Sequence, residues 1–558
     1  MKAAELLVRC LEREGVEYIF GVPGEEVMDL LDALHESTIT FVPTRHEQGA
    51  AFMADVYGRL SGKAGVCLAT LGPGATNLIT GVADANMDHS PVVALTGQAS
   101  LSSMHKESHQ YLDLEALFRP ITKWSAQITK AETIPEAVRK AFTIAQAEKP
   151  GATHLTLPED IAKQEVDEQP LPAVTLHPPA MPAAWQIEHA VALLQTAQAP
   201  LIIAGNGVVR SEASAALVQC AEALHIPVMT TFMAKGVIPA THPLSRGVIG
   251  LPSRDVHATW LAQADVVLSV GYDLVEYAPA HWNPMRNKKI VHLDLSAADV
   301  DAAYTVAVEV TGDLSASLSA LAANVRRMPM IELPVPVVRR LERDSNANEQ
   351  SFPVKPQRLL REVRKALTST DLLITDVGAH KLWAAACYPC MHPNTCIISN
   401  GFAAMGIAIP GAVAAKLLFP QRKVVALTGD GGFLMNSQEL ETAVRLGLPI
   451  VTIICNDGSY GLIGWKQQAR FGRESFVQFG NPDFVRYAES FGAKGYRVQA
   501  TQELPDILHE AFLQSGPVVI DCPVDYAENL TVREDEPHTN SVGYQRLESS
   551  TTIIDVAA

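Results

Sequence analysis

Two apolar runs of strand length dominate residues 424–460: VVALTGDGG and, further on, LPIVTIICNDG. Each stops at an aspartate followed by glycine, Asp430 and Asp457, and the residues between suit one helix over 437–446. A strand, a glycine turn, a helix and a second strand form a β–α–β unit, which fixes a parallel sheet flanked by helices. In such a sheet ligands bind beyond the carboxyl ends of the strands, so the two carboxylates are expected at one binding edge. Gly429, Gly431 and Gly432 let a ligand approach the backbone, and the start of helix 437–446 offers unpaired N–H groups that suit a phosphate. Taken singly, Asp430 reads as a helix N-cap and Asp457 as a turn residue. Taken together, two hard carboxylates beside a phosphate-binding turn describe a Mg2+ site completed by phosphate oxygens and water. The ligand implied is a diphosphate or a nucleotide. Neither GxxxxGKS nor GxxxxGKT occurs, so this is not a Walker loop.

The same alternation runs through the chain. TFVPTR (40–45), AGVCLATL (64–71) and PVVALTG (91–97) read as strands of a first unit that ends near 152–161. APLIIAGNGV (199–208), HIPVMTTF (225–232), ADVVLSVGYD (264–273) and KKIVHLDLS (288–296) make a second unit. DLLITDVG (371–378), the two runs above and GPVVIDCPVD (516–525) make a third. Proline-rich stretches at 166–185 and 328–356 are poor in regular structure and read as linkers. With 558 residues, the chain is expected to form three successive parallel-sheet α/β domains, 1–165, 186–328 and 356–528. A tail at 529–558 loses periodicity and is expected to wrap the surface or fray.

Composition excludes several classes. Apolar residues at 47% and charged residues at 19% describe packed cores, not a disordered chain. With 61 acidic and 44 basic residues the net charge is −17, which argues against nucleic-acid and anionic-membrane partners. No stretch of 18 apolar residues occurs, so no spanning helix is expected. Glu5, Arg9, Glu12 and Arg13 interrupt any signal-peptide core; Leu6, Leu7, Cys10 and Leu11 instead share one face of an amphipathic helix. Eight cysteines without a secretion signal suit reduced thiols and a cytoplasmic location. Cys387 and Cys390 form a CxxC, but the second ligand pair of a zinc knuckle is missing.

GDGG followed by ND at this spacing resembles the thiamine-diphosphate motif of thiamine-dependent decarboxylases and synthases. The resemblance covers nearly the whole chain, through RHEQGAAFMADVYGRLSGKAGVCLATLGPGATNLITGVADA (45–85) and ISNGFAAMGIAIPGAVAA (398–415). SHQYLDLEALFRPITKWS (108–125), GYDLVEYAPAHWN (271–283) and FGNPDFVRYAESFGAKG (479–495) are most similar to acetolactate synthase, of the acetohydroxyacid synthase family, in particular its FAD-independent catabolic type. The resemblance implies a first domain that binds the cofactor's aminopyrimidine, a central Rossmann-like domain, and a last domain that binds the diphosphate through Mg2+. It also implies an active site between the first domain of one subunit and the last domain of another. At least a homodimer, and a homotetramer as the fuller assembly, are then expected.

By the same resemblance, Glu47 in RHEQ falls on the catalytic glutamate, whose carboxyl bonds to the pyrimidine N1′ and favours the basic imino form. The apolar AAFMA after it suggests a helix packed inward and a poorly hydrated carboxyl. Gln110 falls on a glutamine lining the reaction centre, with His109 beside it. Gly24 falls on a glycine whose backbone faces the thiazolium. Met405 falls on the bulky apolar residue that bends the cofactor so that its amino group meets C2. Val377, Gly378 and His380 fall on the loop that meets the diphosphate. Asp430, Asp457 and the backbone carbonyl of Ser459 fall on the metal ligands, and Asn456 does not. Gly401, Gly429, Gly431, Gly432, Tyr460, Gly461 and Leu462 are expected to line the cofactor. Gly72–Asn77 looks like a phosphate loop, but the resemblance makes it a structural turn near the pyrimidine. GNG at 205–207 is not a GxGxxG, and likeness to the catabolic type implies no FAD.

The implied reaction is decarboxylation of pyruvate and transfer of its two-carbon hydroxyethyl unit to a second 2-oxoacid, giving 2-acetolactate and CO2. Departures bear on the acceptor. Glu25 and Glu26 follow GVPG where the compared synthases carry an uncharged–basic pair, and acid there would not recruit an anionic acceptor. Trp465 stands one place short of the tryptophan that sets 2-oxobutyrate preference in biosynthetic relatives; Lys466 holds that place. Lys466 or Arg119 is available to pair with a substrate carboxylate. The alternatives are another thiamine-dependent lyase or acyltransferase acting on a different oxoacid or aldehyde, and a non-catalytic protein that keeps the fold.

Overall fold

The computed structural model describes residues 1–104, 106–172, 179–251, 256–325 and 350–528. Parts of both linker readings, 173–178 and 328–349, the end of the second domain reading at 326–328, and the tail reading at 529–558 lie outside the described residues.

The first sheet comprises β1 (Tyr18–Gly21), β2 (Thr40–Pro43), β3 (Gly65–Ala69), β4 (Val92–Gln98), β5 (Trp124–Gln127) and β6 (Ala152–Pro158), all parallel, in the order β2-β1-β3-β4-β6-β5. Every residue of β4 is buried, as a central parallel strand covered on both faces must be. Helix α1 (Ala3–Arg13) buries the predicted face, Leu6, Leu7, Cys10 and Leu11. Two longer helices, α2 (Glu47–Ser61) and α3 (Pro73–Met87), follow β2 and β3.

The central sheet holds β7 (Pro200–Ala204), β8 (Val228–Thr230), β9 (Ser245–Val248), β10 (Val266–Val270), β11 (Lys289–Asp294) and β12 (Val306–Thr311), in the order β12-β11-β10-β7-β8-β9. A short helix, α4 (Asn206–Arg210), leaves the end of β7. The third sheet holds β13 (Leu372–Thr375), β14 (Cys396–Ile398), β15 (Val424–Gly429), β16 (Ile450–Asn456), β17 (Lys494–Arg497) and β18 (Val518–Pro523), in the order β14-β13-β15-β16-β18-β17. Its helices include α5 (Ala379–Cys387), α6 (Ala408–Leu418), α7 (Asp430–Asn436), α8 (Glu439–Arg445) and α9 (Gly461–Phe471). The first and third sheets thus share one strand order. Strands absent from the sequence reading, such as β5, β9, β14 and β17, are three or four residues long and lie at sheet edges, where so short a run carries little periodicity.

The first and third domains share a core. Helices α2 and α6 cross face to face, and one apolar cluster contains Ala50, Met53 and Ala54 together with Ala408, Ala412 and Val413. Gly411 makes the approach possible: a Cβ there would lie 2.8 Å from Val56 Cγ2.

Parallel sheets bind ligands where neighbouring connections leave in opposite directions. That point lies between β1 and β3, between β7 and β10, and between β13 and β15. In the central sheet the chain fills the crevice itself. The backbone of Gly271 presses on Gly205 and Gly207, and the Glu276 carboxylate accepts the N–H groups of Asn206 (3.2 Å) and Met233 (3.1 Å). Burial, and then the neighbouring Asp273, push the Glu276 carboxyl up to about 8. The unfolded chain ionises this group from about 4.3 upward. Its contribution to stability is therefore full below that value and is lost as pH rises towards 8. Urea midpoints across this range should fall less steeply with pH in Glu276→Gln than in the native protein.

Candidate active site

Around the switch point of the first sheet, the ends of β1 and β3 bring Gly24, Thr70 and Gly74 together. A Cβ at Gly24 would collide with Thr70, and one at Gly74 would lie 2.9 Å from Thr70 Cγ2 and 3.2 Å from Glu47 Oε1. Glu47 is the first residue of α2 and is 8% exposed. Its Oε2 accepts from Asn77 Nδ2 on α3 (3.0 Å), while its Oε1 has no hydrogen-bond partner among the described residues. The start of α2 is fixed twice over. His46 caps it through Nδ1, which accepts from Gln48 N (3.1 Å), and Glu439 accepts from Arg45 N (3.0 Å) and His46 N (3.1 Å). Gly72 has φ +50, and a Cβ there would lie 2.7 Å from the Gln110 carbonyl. Gln110 itself is exposed with φ +55, and His109 beside it is exposed.

At the switch point of the third sheet, β15 ends on Gly429 and α7 begins at Asp430 itself. Helix α8 occupies the stretch expected over 437–446, but α7 precedes it, and the helix start that faces the site is Gly429–Asp430 rather than the start of α8. Glycines 431 and 432 are weak helix formers, but Phe433 is buried and Gly431 and Gly432 lie against Tyr460 and Asp376, so packing overrides propensity. Asp430 is therefore not the cap residue; Gly429 is. Asp430 Oδ2 accepts from Gly458 N and Asn481 Nδ2, both at 2.7 Å, and Oδ1 accepts from Gly431 N at 2.9 Å.

Asp457 follows β16, the strand next to β15. Burial, and then repulsion from Asp430, push its carboxyl up to about 7, and burial raises Asp430 also. Two confined acids that disfavour each other's charge are a place for a cation. Asn456 turns away: its Nδ2 donates to Asp521 Oδ1 (2.8 Å) and its Oδ1 accepts from Asn481 Nδ2 (3.1 Å). Ser459 pairs by backbone with Gln478. Gly461 opens α9, and a Cβ there would run into Asp457 Oδ2; half-buried Leu462 follows it. The Tyr460 ring lies 4.9 Å from that of Phe479.

The His380 ring packs against Gly378 and Gly429, and burial pushes it down to about 3, so it is neutral. Its Nε2 is buried without a partner, as is Asn481 Oδ1. Val377 N donates to Asp376 Oδ1 (2.8 Å). Two orphaned polar atoms, glycines with no room for a Cβ, and a pair of acids fit a diphosphate carried with a divalent cation. Among the described residues no third His, Cys, Asp or Glu completes a metal cluster, which suits Mg2+ sharing its shell with phosphate and water.

The remaining candidates are dispersed. Met405 is half-buried in the loop before α6, and Gly401 N donates to Asp88 Oδ1 (2.5 Å) of the first domain. Lys466 is exposed on α9, whereas Arg119 is engaged with Glu115 (3.3 Å). No hydrogen bond or ion pair joins Glu47 to Asp430 or Asp457 among the described residues. Sequence reasoning misses Asn481, Asp376 and Glu439, whose parts depend on contacts between distant segments. The Asn-Pro-Asp after a turn is the one local signal for the first.

Residues 1–117 match the family described as "Thiamine pyrophosphate enzyme, N-terminal TPP binding domain". Residues 187–321 match its central domain, and residues 376–522 match its C-terminal TPP binding domain. The chain is 39% identical over 543 residues to the acetolactate synthase of Bacillus subtilis, covering 96% of this chain and 95% of that one. It is 37% identical over 560 residues to a probable acetolactate synthase large subunit of Methanocaldococcus jannaschii (95% and 93% covered). To the catabolic acetolactate synthase of Raoultella terrigena it is 36% identical over 536 residues (94% and 95% covered). The site just built and these likenesses agree: the chain belongs to the acetolactate synthase family of thiamine pyrophosphate enzymes.

Proposed function

We propose that this enzyme condenses two molecules of pyruvate to 2-acetolactate and CO2, using thiamine diphosphate held through Mg2+ and no flavin. The observation that carries the reading is the Asp430–Asp457 pair at one sheet edge and the Glu47–Asn77 pair at the corresponding edge of a second domain with the same strand order. Asp430, Asp457 and the Ser459 carbonyl would hold the cation. Val377, Gly378, His380 and Gly429 would receive the diphosphate, while Gly24 and Gln110 would face the reacting end. When bound, thiamine diphosphate supplies the electron sink on which a 2-oxoacid loses CO2. The chain's own part is proton placement and exclusion of water. Glu47 Oε1, buried and without a hydrogen-bond partner among the described residues, would hold a proton shared with the pyrimidine ring nitrogen.

Membership of the acetolactate synthase family supports a homodimer, and beyond it a homotetramer, in which a first domain faces a partner's last domain. The crevice filled by Glu276 supports the absence of a dinucleotide in the central domain. No helix among the described residues is long and apolar enough to cross a membrane; the eight cysteines, all free, support a cytoplasmic location. Glu26, half-buried with Oε2 2.5 Å from Thr70 Oγ1 beside Gly24, favours a second reading in which the acceptor is an uncharged aldehyde.

Protein loaded with thiamine diphosphate and Mg2+ should turn pyruvate alone into a product that becomes acetoin in acid, without flavin absorbance. Added 2-oxobutyrate or aldehyde then reports the acceptor. Absence of pyruvate consumption would refute the assignment.

A further inference from the structure

Met405 stands between two buried carboxylates from different domains. Ala404 N donates to Asp84 Oδ1 (3.0 Å), and Gly406 N donates to Asp376 Oδ1 (2.8 Å). The backbone turns at both flanks: Ala403 has φ +58 and Gly406 has φ +95. A non-glycine residue keeps such a conformation only where its surroundings hold it.

Asp84, on α3, is fully buried. Its Oδ1 also accepts from Ser399 Oγ (3.0 Å), so it grips the loop at two points. Arg59, in the last turn of α2, fixes Asp84 from behind through Nη2 (3.5 Å to Oδ2), binds Asp88, and donates to Asp55 through Nε (2.8 Å). Asp376 grips the other flank, and Oδ2 accepts from Ala408 N (3.3 Å). Its Oδ1 also receives Val377 N, so one side chain links the diphosphate-side turn to the Met405 loop.

We propose that Asp84 and Asp376 are positioning residues that together set where Met405 stands in the active site. The proposal rests on the reading of Met405 as the residue that bends the cofactor. It adds that the first domain, through Asp84, shapes the cofactor half-site of the last domain in the same chain.

The first measurement is amide hydrogen exchange of Ala404 in cofactor-free protein. Asp84→Ala should raise it at least about tenfold, because a partly buried backbone donor loses its acceptor. Asp84→Asn, which keeps one acceptor oxygen, should restore most of the protection, and Asp84→Leu, which fills the space without an acceptor, takes the place of the alanine variant if that does not fold. The second measurement is a double-mutant cycle on turnover and on the thiamine diphosphate dissociation constant. If Asp84 acts through Met405, Asp84→Ala should cost much less in a Met405→Ala background than in the native one. Full additivity, or native exchange at Ala404 in a folded variant that lacks the Asp84 acceptor, would overturn the proposal. Met405→Ala with native turnover and cofactor affinity would instead overturn the reading of Met405, while Ala404 exchange still decides whether Asp84 holds the loop.

Discussion

Replacing Glu47 by glutamine is expected to lower carboligase turnover by about 10²–10⁴-fold, the span typical of a lost proton-transfer group, while thiamine diphosphate still binds. The substitution preserves shape. Its amide oxygen can still accept from Asn77 Nδ2, the bond that now holds Oε2 at 3.0 Å. Its amide nitrogen cannot hold the shared proton that the partnerless Oε1 would take. The fold should survive, because α2 starts on the bonds that Arg45 N and His46 N donate to Glu439 and on the His46 cap, neither of which needs the Glu47 charge. A charge at a helix start contributes up to about 2 kcal/mol even in a partly buried geometry. Turnover at saturating cofactor, read beside the thermal midpoint, tests this. Turnover within a few-fold of native in a folded variant contradicts it.

Asp430→Asn should weaken thiamine diphosphate retention in Mg2+ by more than about a hundredfold, since changes one shell beyond a metal already cost about 10–100-fold. Asp430 joins three segments: it opens α7, takes Gly458 N on the turn after β16, and takes Asn481 Nδ2. Asparagine can place its oxygen where Oδ2 now takes both Gly458 N and Asn481 Nδ2, or where Oδ1 takes Gly431 N, but turns a donor towards the other, so either the turn carrying Asp457 and Ser459 or the start of α7 loses its anchor as the site loses a charge. Calorimetric titration with and without Mg2+ measures the change. Metal-dependent binding at native affinity would remove Asp430 from the ligand set.

These expectations differ in how far local sequence supports them. Asp430 and Asp457 are legible because each ends a run of strand-forming residues, and the sheet must bring such ends together. The three domains are legible from the same alternation. Glu47 is not legible from its surroundings alone: a glutamate before AAFMA becomes a candidate only through the flanking resemblance. The helix start at Asp430 is obscured by Gly431 and Gly432, whose propensity argues against the packing that Phe433 imposes. Asp84, Asp376, Glu439 and Asn481 act across separations that periodicity does not encode; Asp84 meets Ala404 from 320 positions away.

The central claim is that Glu47 of one chain and Asp430 of another serve the same cofactor. Co-expression of Glu47→Gln and Asp430→Asn chains, with mixed dimers purified through different tags, tests it most directly. Each parent variant should be nearly inactive, while the mixed dimer should regain activity because one of its two sites then has both residues intact. Mixed dimers as inactive as their parents would place both residues in a site within one chain and contradict the account.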